Sequence, residues 1–292
     1  EEIAKHISRT RKIPVKPVEV VITPGGKPII FYTILATVNP GDEVIIPNPG
    51  FPTYESVVNF IGAKAVPLPI FAENDFQVDL KQLAKLITKK TKLIIVNSPH
   101  NPTGGVLTHK NLFGIAKLAK KHNFWVLSDE VYDHLVFQGK FESIASLPGM
   151  KKRTIILNAF TKTYSMSGWR LGYGVMPADL AKIISNLINN SISCAPNFIQ
   201  WAGIAGLKAP ESIIAKMRKE LKKRRDLLAK KLNKLPGVKC HVPKGAIYLF
   251  PDIRGTGKSS REIFDILFEK AHIAALPGTS FGKYGEGFIR LS

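Results

Sequence analysis

The sequence predicts an α/β fold: a large three-layer domain on a mostly parallel seven-stranded sheet, followed by a smaller α+β domain. Three observations carry that prediction. Short apolar runs alternate with amphipathic stretches through residues 19–189, the pattern of a parallel sheet wrapped by helices. Turn residues punctuate the alternation at Pro24-Gly25-Gly26, Asn39-Pro40-Gly41-Asp42, Asn48-Pro49-Gly50 and Asn101-Pro102-Thr103-Gly104-Gly105. Beyond residue 207 the pattern changes to one long basic helix, then short strands around a single further helix.

Strands are expected at residues 19–23, 43–47, 63–67, 92–97, 125–129, 154–158 and 171–175. Most are rich in Val, Ile and Leu with little alternation, as strands covered on both faces require. Between them, residues 28–38, 53–61, 80–87, 112–122 and 179–189 read as amphipathic helices. In residues 208–234, Ile214, Met217, Leu221, Leu228, Leu232 and Leu235 recur at helical spacing, as on the buried stripe of a long helix. Strands at 238–242 and 246–251, a helix at 260–271 and short strands at 273–276 and 288–291 complete the chain. The opening Glu1-Glu2-Ile3-Ala4 reads as helix interior.

The 292 residues exceed one domain of about 150, and the division falls at 1–207 and 208–292. Hydrophobic residues at 45% and charged residues at 22% exclude a mainly disordered chain. No apolar run approaches the ~20 residues that cross a bilayer, so no membrane partner is expected. Two cysteines, Cys194 and Cys240, without a CxxC, build neither a disulfide framework nor a zinc knuckle. Such usage fits a reducing, cytoplasmic compartment.

The charge is unusual: 42 basic against 22 acidic side chains, a net +20. Eight of those twenty charges sit in residues 208–234, where eleven basic side chains face three acids. No aromatic residues interleave there to stack on bases, so a solvated helix face is the expectation rather than a nucleic-acid partner.

In an open parallel sheet, chemistry collects at the carboxyl ends of the strands. Lys162 follows the strand at 154–158 and precedes a run of small hydroxyl and glycine residues that ends in Arg170. A lone lysine is ordinarily a surface group. At a strand end, with space beside it and an arginine fork able to grip a phosphate, it suggests a Schiff-base lysine for a phosphorylated aldehyde. Asp129 ends the strand at 125–129. It could cap the next helix, or pair with a protonated ring nitrogen and make pyridoxal phosphate an electron sink, with Tyr132 three residues on. Thr23-Pro24-Gly25-Gly26-Lys27 joins a strand to a helix start, an anion cradle where it is more than a turn. Asn101 sits in a polar loop after the strand at 92–97, and Arg290, ordinarily a surface residue, lies on a short apolar strand where it could grip a carboxylate. Gly255-Thr256-Gly257-Lys258-Ser259 is a decoy, since the phosphate-loop pattern needs glycine where Asp252 stands.

Taken in order, the segments ITPGGKP, NPGDEVIIPNPGFPTY, NSPHNPTGGVLT, VLSDEVYDHLVF, FTKTYSMSGWRLGYGVMP, PKGAIYLFPDI, LPGTSFG and FIRLS resemble the class I aminotransferases of the fold type I pyridoxal-phosphate family, aspartate aminotransferase-like branch. The resemblance implies a transaminase moving an amino group between an amino acid, aspartate-like, and a 2-oxo acid. It implies that Lys162 forms an aldimine with pyridoxal 5'-phosphate and shuttles the α-proton. Asp129 would pair with the pyridine nitrogen, and Tyr132 and Asn101 would bond the ring hydroxyl. Gly26 and Lys27 would offer amides, and Arg170 its guanidinium, to the phosphate. Phe51 would stack on the ring, and Arg290 would bind the substrate carboxylate. A homodimer is implied too.

Ala159 departs from the family, standing where many relatives carry a phosphate-binding serine. The resemblance implies that the family's N-terminal arm, a tyrosine given to the partner subunit's phosphate and the last small-domain helix would lie outside these residues, so truncation at both ends is the expectation. Two alternatives stay open: another enzyme of the same cofactor family, such as a C–S lyase, and a basic binding protein without turnover.

Overall fold

The computed structural model describes residues 1–292. Seven strands form one sheet: β1 (Val20–Thr23), β2 (Glu43–Asn48), β3 (Lys64–Pro69), β4 (Thr91–Asn97), β5 (Trp125–Asp129), β6 (Thr154–Ala159) and β7 (Gly172–Val175). Their spatial order is β1-β7-β6-β5-β4-β2-β3. β3, β2, β4, β5 and β6 run parallel, whereas β7 is antiparallel to both β6 and β1. α-Helices link β2 to β3, β3 to β4 and β4 to β5, whereas β5 crosses to β6 through a long loop with two short 3-10 turns. Between β6 and β7 stands only a short connection with one four-residue helix, α6 (Phe160–Thr163), so the chain turns back antiparallel. (Helices here are numbered α1 to α10 in chain order.)

The unalternating strands are buried on both faces because successive side chains enter different cores. Leu93 and Ile95 of β4 join one cluster with Leu127, Ile155 and Leu157, beneath α2 (Lys27–Thr37), α3 (Thr53–Phe60) and α7 (Ala178–Asn189). Ile94 and Val96 join the opposite cluster with Val126, under α4 (Leu80–Leu86) and α5 (His109–His122). On that face, α1 (Glu2–Arg11) and α8 (Asn197–Lys208) cover Ile156, Tyr173 and Val175. The three-layer, mostly parallel expectation is borne out.

The C-terminal part differs in detail. The long basic helix starts later than expected, as α9 (Glu211–Leu232), because Pro210 caps it and separates it from α8. Its inward face carries Ile214, Arg225 and Ala229, while Leu228 and Leu235 of the expected stripe are exposed. Arg225 is tolerated inside because it donates to the Pro243 carbonyl at 2.7 Å and lies 4.9 Å from the Phe137 ring centre. The strands expected at 238–242 and 246–251 do not form a ladder. Only isolated bridges occur, Lys239 with Asp252 and Leu249 with Leu291, since Pro243 and Pro251 bring no amide hydrogens to a ladder. α10 (Ser260–Glu269) has its Ser259–Glu262 capping box, and a two-residue pair, β8 (Leu276–Pro277) and β9 (Ile289–Arg290), follows.

Two aromatic clusters join this part to the sheet domain. Phe250, Phe281 and Phe288 pack on Ile70 and Phe76, and Ala246 and Tyr248 pack on Tyr132 and Leu135. No helix is long and apolar enough to cross a membrane.

Candidate active site

Strand register brings the key side chains to one edge. Asn97 pairs in register with Asp129, and Asp129 with Leu157, so the carboxyl ends of β4, β5 and β6 lie side by side. There a cavity of about 230 Å³ is lined by Gly26, Lys27, Phe51, Asn101, Asp129, Tyr132, Lys162 and Arg170. These are eight of the nine residues the sequence singles out; the ninth, Arg290, stands just behind the lining. Its Nη1 donates to Asn101 Oδ1 at 3.1 Å, and its guanidinium lies 4.6 Å from the Tyr248 ring centre. Larger clefts of about 520 and 660 Å³ contain none of the nine.

Asp129 is buried and has no basic partner among the ion pairs. Burial pushes its carboxyl up to about 6, and the Tyr54 hydroxyl, donating to Oδ2 at 2.6 Å, pulls it partly back. An unpaired buried carboxylate is costly, so this one is poised for a cation entering the cavity. Lys162 is half-buried, with its Nζ 5.9 Å from the Tyr132 ring centre. Burial, and then the charge of Arg290, lower its ammonium below the ordinary lysine range. That is the environment an amine nucleophile needs.

The other end of the cavity is built for an anion. The Gly26 and Lys27 amides donate to no backbone or side-chain acceptor at the start of α2. Gly25, at φ 89°, allows close approach: a Cβ there would lie 2.3 Å from Arg170 Nη2. Arg170 itself adopts φ 56° and is braced by donating from Nη1 to the Ser167 carbonyl at 2.8 Å. Beneath Gly26 lies the Ala159 methyl, 3.4 Å from where a Cβ would stand, so the position of the family serine adds packing and no hydroxyl.

Eight further residues line the cavity, among them Tyr54, Asn97 and Tyr248. Asn97 carries a signal, since it ends an apolar strand just as Asp129 does. Its amide donates to the Asp129 carbonyl at 3.1 Å, and its Oδ1 accepts from the Asn101 amide at 2.8 Å, tying two strand ends together. Tyr54 and Tyr248 look like packing aromatics, and only the fold aims their hydroxyls inward.

The model of the family described as aminotransferase class I and II matches residues 1–292. The chain belongs to that family. It is 40% identical over 275 residues to an aspartate aminotransferase of Musicola paradisiaca, covering 94% of this chain and 69% of that one. An aspartate aminotransferase of Pyrococcus abyssi is also 40% identical, over 298 residues that cover all of this chain and 76% of the other. The solved aromatic aminotransferase from Pyrococcus horikoshii superposes with a TM-score of 0.97 at 38% identity, covering 100% of this chain and 79% of that one. This aminotransferase therefore has the family's fold and its dependence on pyridoxal phosphate, and is a transaminase using amino-acid and 2-oxo-acid substrates. The residues present fit the cofactor. An unpaired buried carboxylate would suit a ring nitrogen, free amides and an arginine would suit a phosphate, and a half-buried amine would suit an aldehyde.

Proposed function

We propose that this enzyme transfers the amino group of an aspartate-type L-amino acid to a 2-oxo acid, with Lys162 as the catalytic residue. The support is the juxtaposition, in one cavity, of Lys162 with Asp129 and Arg170. Asp129 holds the ring nitrogen protonated, the Gly26 and Lys27 amides and Arg170 hold the phosphate, and Phe51 lies against the ring. Tyr132 and Asn101 address the ring hydroxyl. The cofactor, when bound, supplies a sink for the electron pair left on the substrate's α-carbon. Lys162 would hold the cofactor through its amine, and that amine, neutral once substrate has entered, would take the substrate's α-proton and give it back. Arg290 binds the substrate carboxylate and, through Asn101, orients it toward that amine. Aspartate as donor is favoured by the aspartate aminotransferases among the relatives near 40% identity.

A homodimer accounts for the exposed aromatic side chains of Trp169, Phe198 and Trp201, two of them on α8. Both cysteines are unpaired, in keeping with a cytoplasmic enzyme. The test is an assay of protein loaded with pyridoxal phosphate, supplied with aspartate and 2-oxoglutarate and followed for glutamate. Glutamate formation that disappears in Lys162→Ala is the expected result. Ammonia and pyruvate without glutamate would identify a lyase instead.

A further inference from the structure

Tyr248 reaches the cavity from the C-terminal part of the chain, and two regions of its side chain are engaged there. Its hydroxyl lies 2.5 Å from the Tyr132 hydroxyl, and the two rings meet edge to face at 5.6 Å. Its ring face lies against the Arg290 guanidinium at 4.6 Å, with the Phe281 ring also on that guanidinium at 4.8 Å. Arg290 needs such a clamp: Nη1 bonds Asn101, and Nε is buried without a partner.

We propose that Tyr248 is a positioning residue with two separable actions. Its hydroxyl donates to Tyr132 and sets that group's direction and donor strength, while its ring face holds Arg290 in place. The proposal rests on the reading above, in which Tyr132 faces the cofactor and Arg290 the substrate carboxylate. The direction of the bond follows from counting hydrogens. A phenol has one, and if Tyr132 gives it to the cofactor's ring oxygen, its own oxygen must accept from Tyr248. The Arg290 cation over the Tyr248 ring makes that phenol a better donor, and donation into Tyr132 strengthens the next bond in the chain.

The test is a pH titration of the visible absorbance of the holoenzyme without substrate, combined with steady-state kinetics. In Tyr248→Phe, a weaker donor at the ring oxygen leaves more negative charge beside the cofactor's basic nitrogen. The titration midpoint should therefore rise, by about 0.5–1 pH unit. The ring face survives, so KM for the amino acid should change by no more than about twofold. In Tyr248→Leu the ring is lost, and KM should rise by about tenfold. Added to Tyr132→Phe, the Tyr248→Phe change should move the midpoint by no more than about 0.3 unit, because its target is gone. An unmoved midpoint in Tyr248→Phe overturns the hydroxyl action, as does an equal shift in the Tyr132→Phe background. An unchanged KM in Tyr248→Leu overturns the ring-face action. If the wild-type protein with pyridoxal phosphate shows no titrating visible band, the assignment of Tyr132 to the cofactor fails and takes this proposal with it. A band that titrates in the wild type and stays put in Tyr248→Phe sinks the hydroxyl action alone.

Discussion

The Tyr54 hydroxyl donates to Asp129 Oδ2 across 2.6 Å, shorter than the 3.4 Å contact from the Val131 amide to the other oxygen. This bond opposes the desolvation that drives the carboxyl up to about 6. Tyr54→Phe should raise the Asp129 pKa further and weaken its hold on a protonated ring. A hydrogen bond to a charged group is worth about 1.5–3 kcal/mol, so the Kd for pyridoxal phosphate near neutral pH should rise by about tenfold or more. Fluorescence titration of the apoprotein checks this, and an unaltered Kd contradicts it.

Asp129 also links stability to pH. Its folded pKa is raised from 3.8 to about 6, so its stabilising contribution is complete below the unfolded value and is lost as pH rises through the folded one. Above that window the apoprotein carries an ionised buried carboxylate at a cost on the order of 3 kcal/mol. Asp129→Asn keeps an acceptor for Tyr54 and removes the charge. Its apoprotein should melt higher than wild type at neutral pH, with the advantage fading toward pH ~4, while cofactor binding is lost. Thermal melts across pH decide it: a variant less stable than wild type at neutral pH rules the idea out.

Behind the site, Arg11 at the end of α1 donates from Nε to Glu130 at 2.8 Å and from Nη2 to Asp133, all three side chains being buried. Burial opposes the charge on Asp133, yet Arg11 holds its carboxyl below the usual range; Glu130 remains raised by burial despite the same arginine. Glu130 adjoins Asp129 and Asp133 adjoins Tyr132 in the chain. Arg11→Leu leaves them buried without their arginine, and should cost about 3–5 kcal/mol of stability in urea unfolding. A loss below about 1 kcal/mol would show that the pair is dispensable.

Arg290→Gln keeps a donor near Asn101 and removes the charge proposed to meet the substrate carboxylate. KM for the amino donor should rise by about thirtyfold or more, with pyridoxal phosphate affinity little changed. Equal losses in both quantities would place Arg290 on the cofactor side instead.

Much of this molecule is legible in its residue order. The seven sheet strands are recognisable because a strand buried on both faces must be apolar at successive positions, as in Leu93-Ile94-Ile95-Val96. The long basic helix is legible only in part, for the complementary reason. Periodicity places Leu228 and Leu235 inward, but it carries no information about which face meets the neighbour, and Arg225 takes the inner position by pairing with a carbonyl and a ring. The 246–251 segment likewise reads as a strand from its apolar run, while its one bridge, from Leu249 to Leu291, is set only by chain return.

The amino-acid order alone determined the parallel sheet, the polar residues at its strand ends and the family to which they belong, because periodicity, turn chemistry and motif spacing are local properties of the chain. What only the tertiary structure decided is which distant groups meet: Tyr54 with Asp129, Tyr248 with Tyr132 and Arg290, Arg11 with Glu130 and Asp133. Those meetings join segments separated by 42 to 122 residues, as between Tyr248 and Arg290 or Arg11 and Asp133. They tune the site through burial and hydrogen bonding, quantities that exist only once the chain has closed around them.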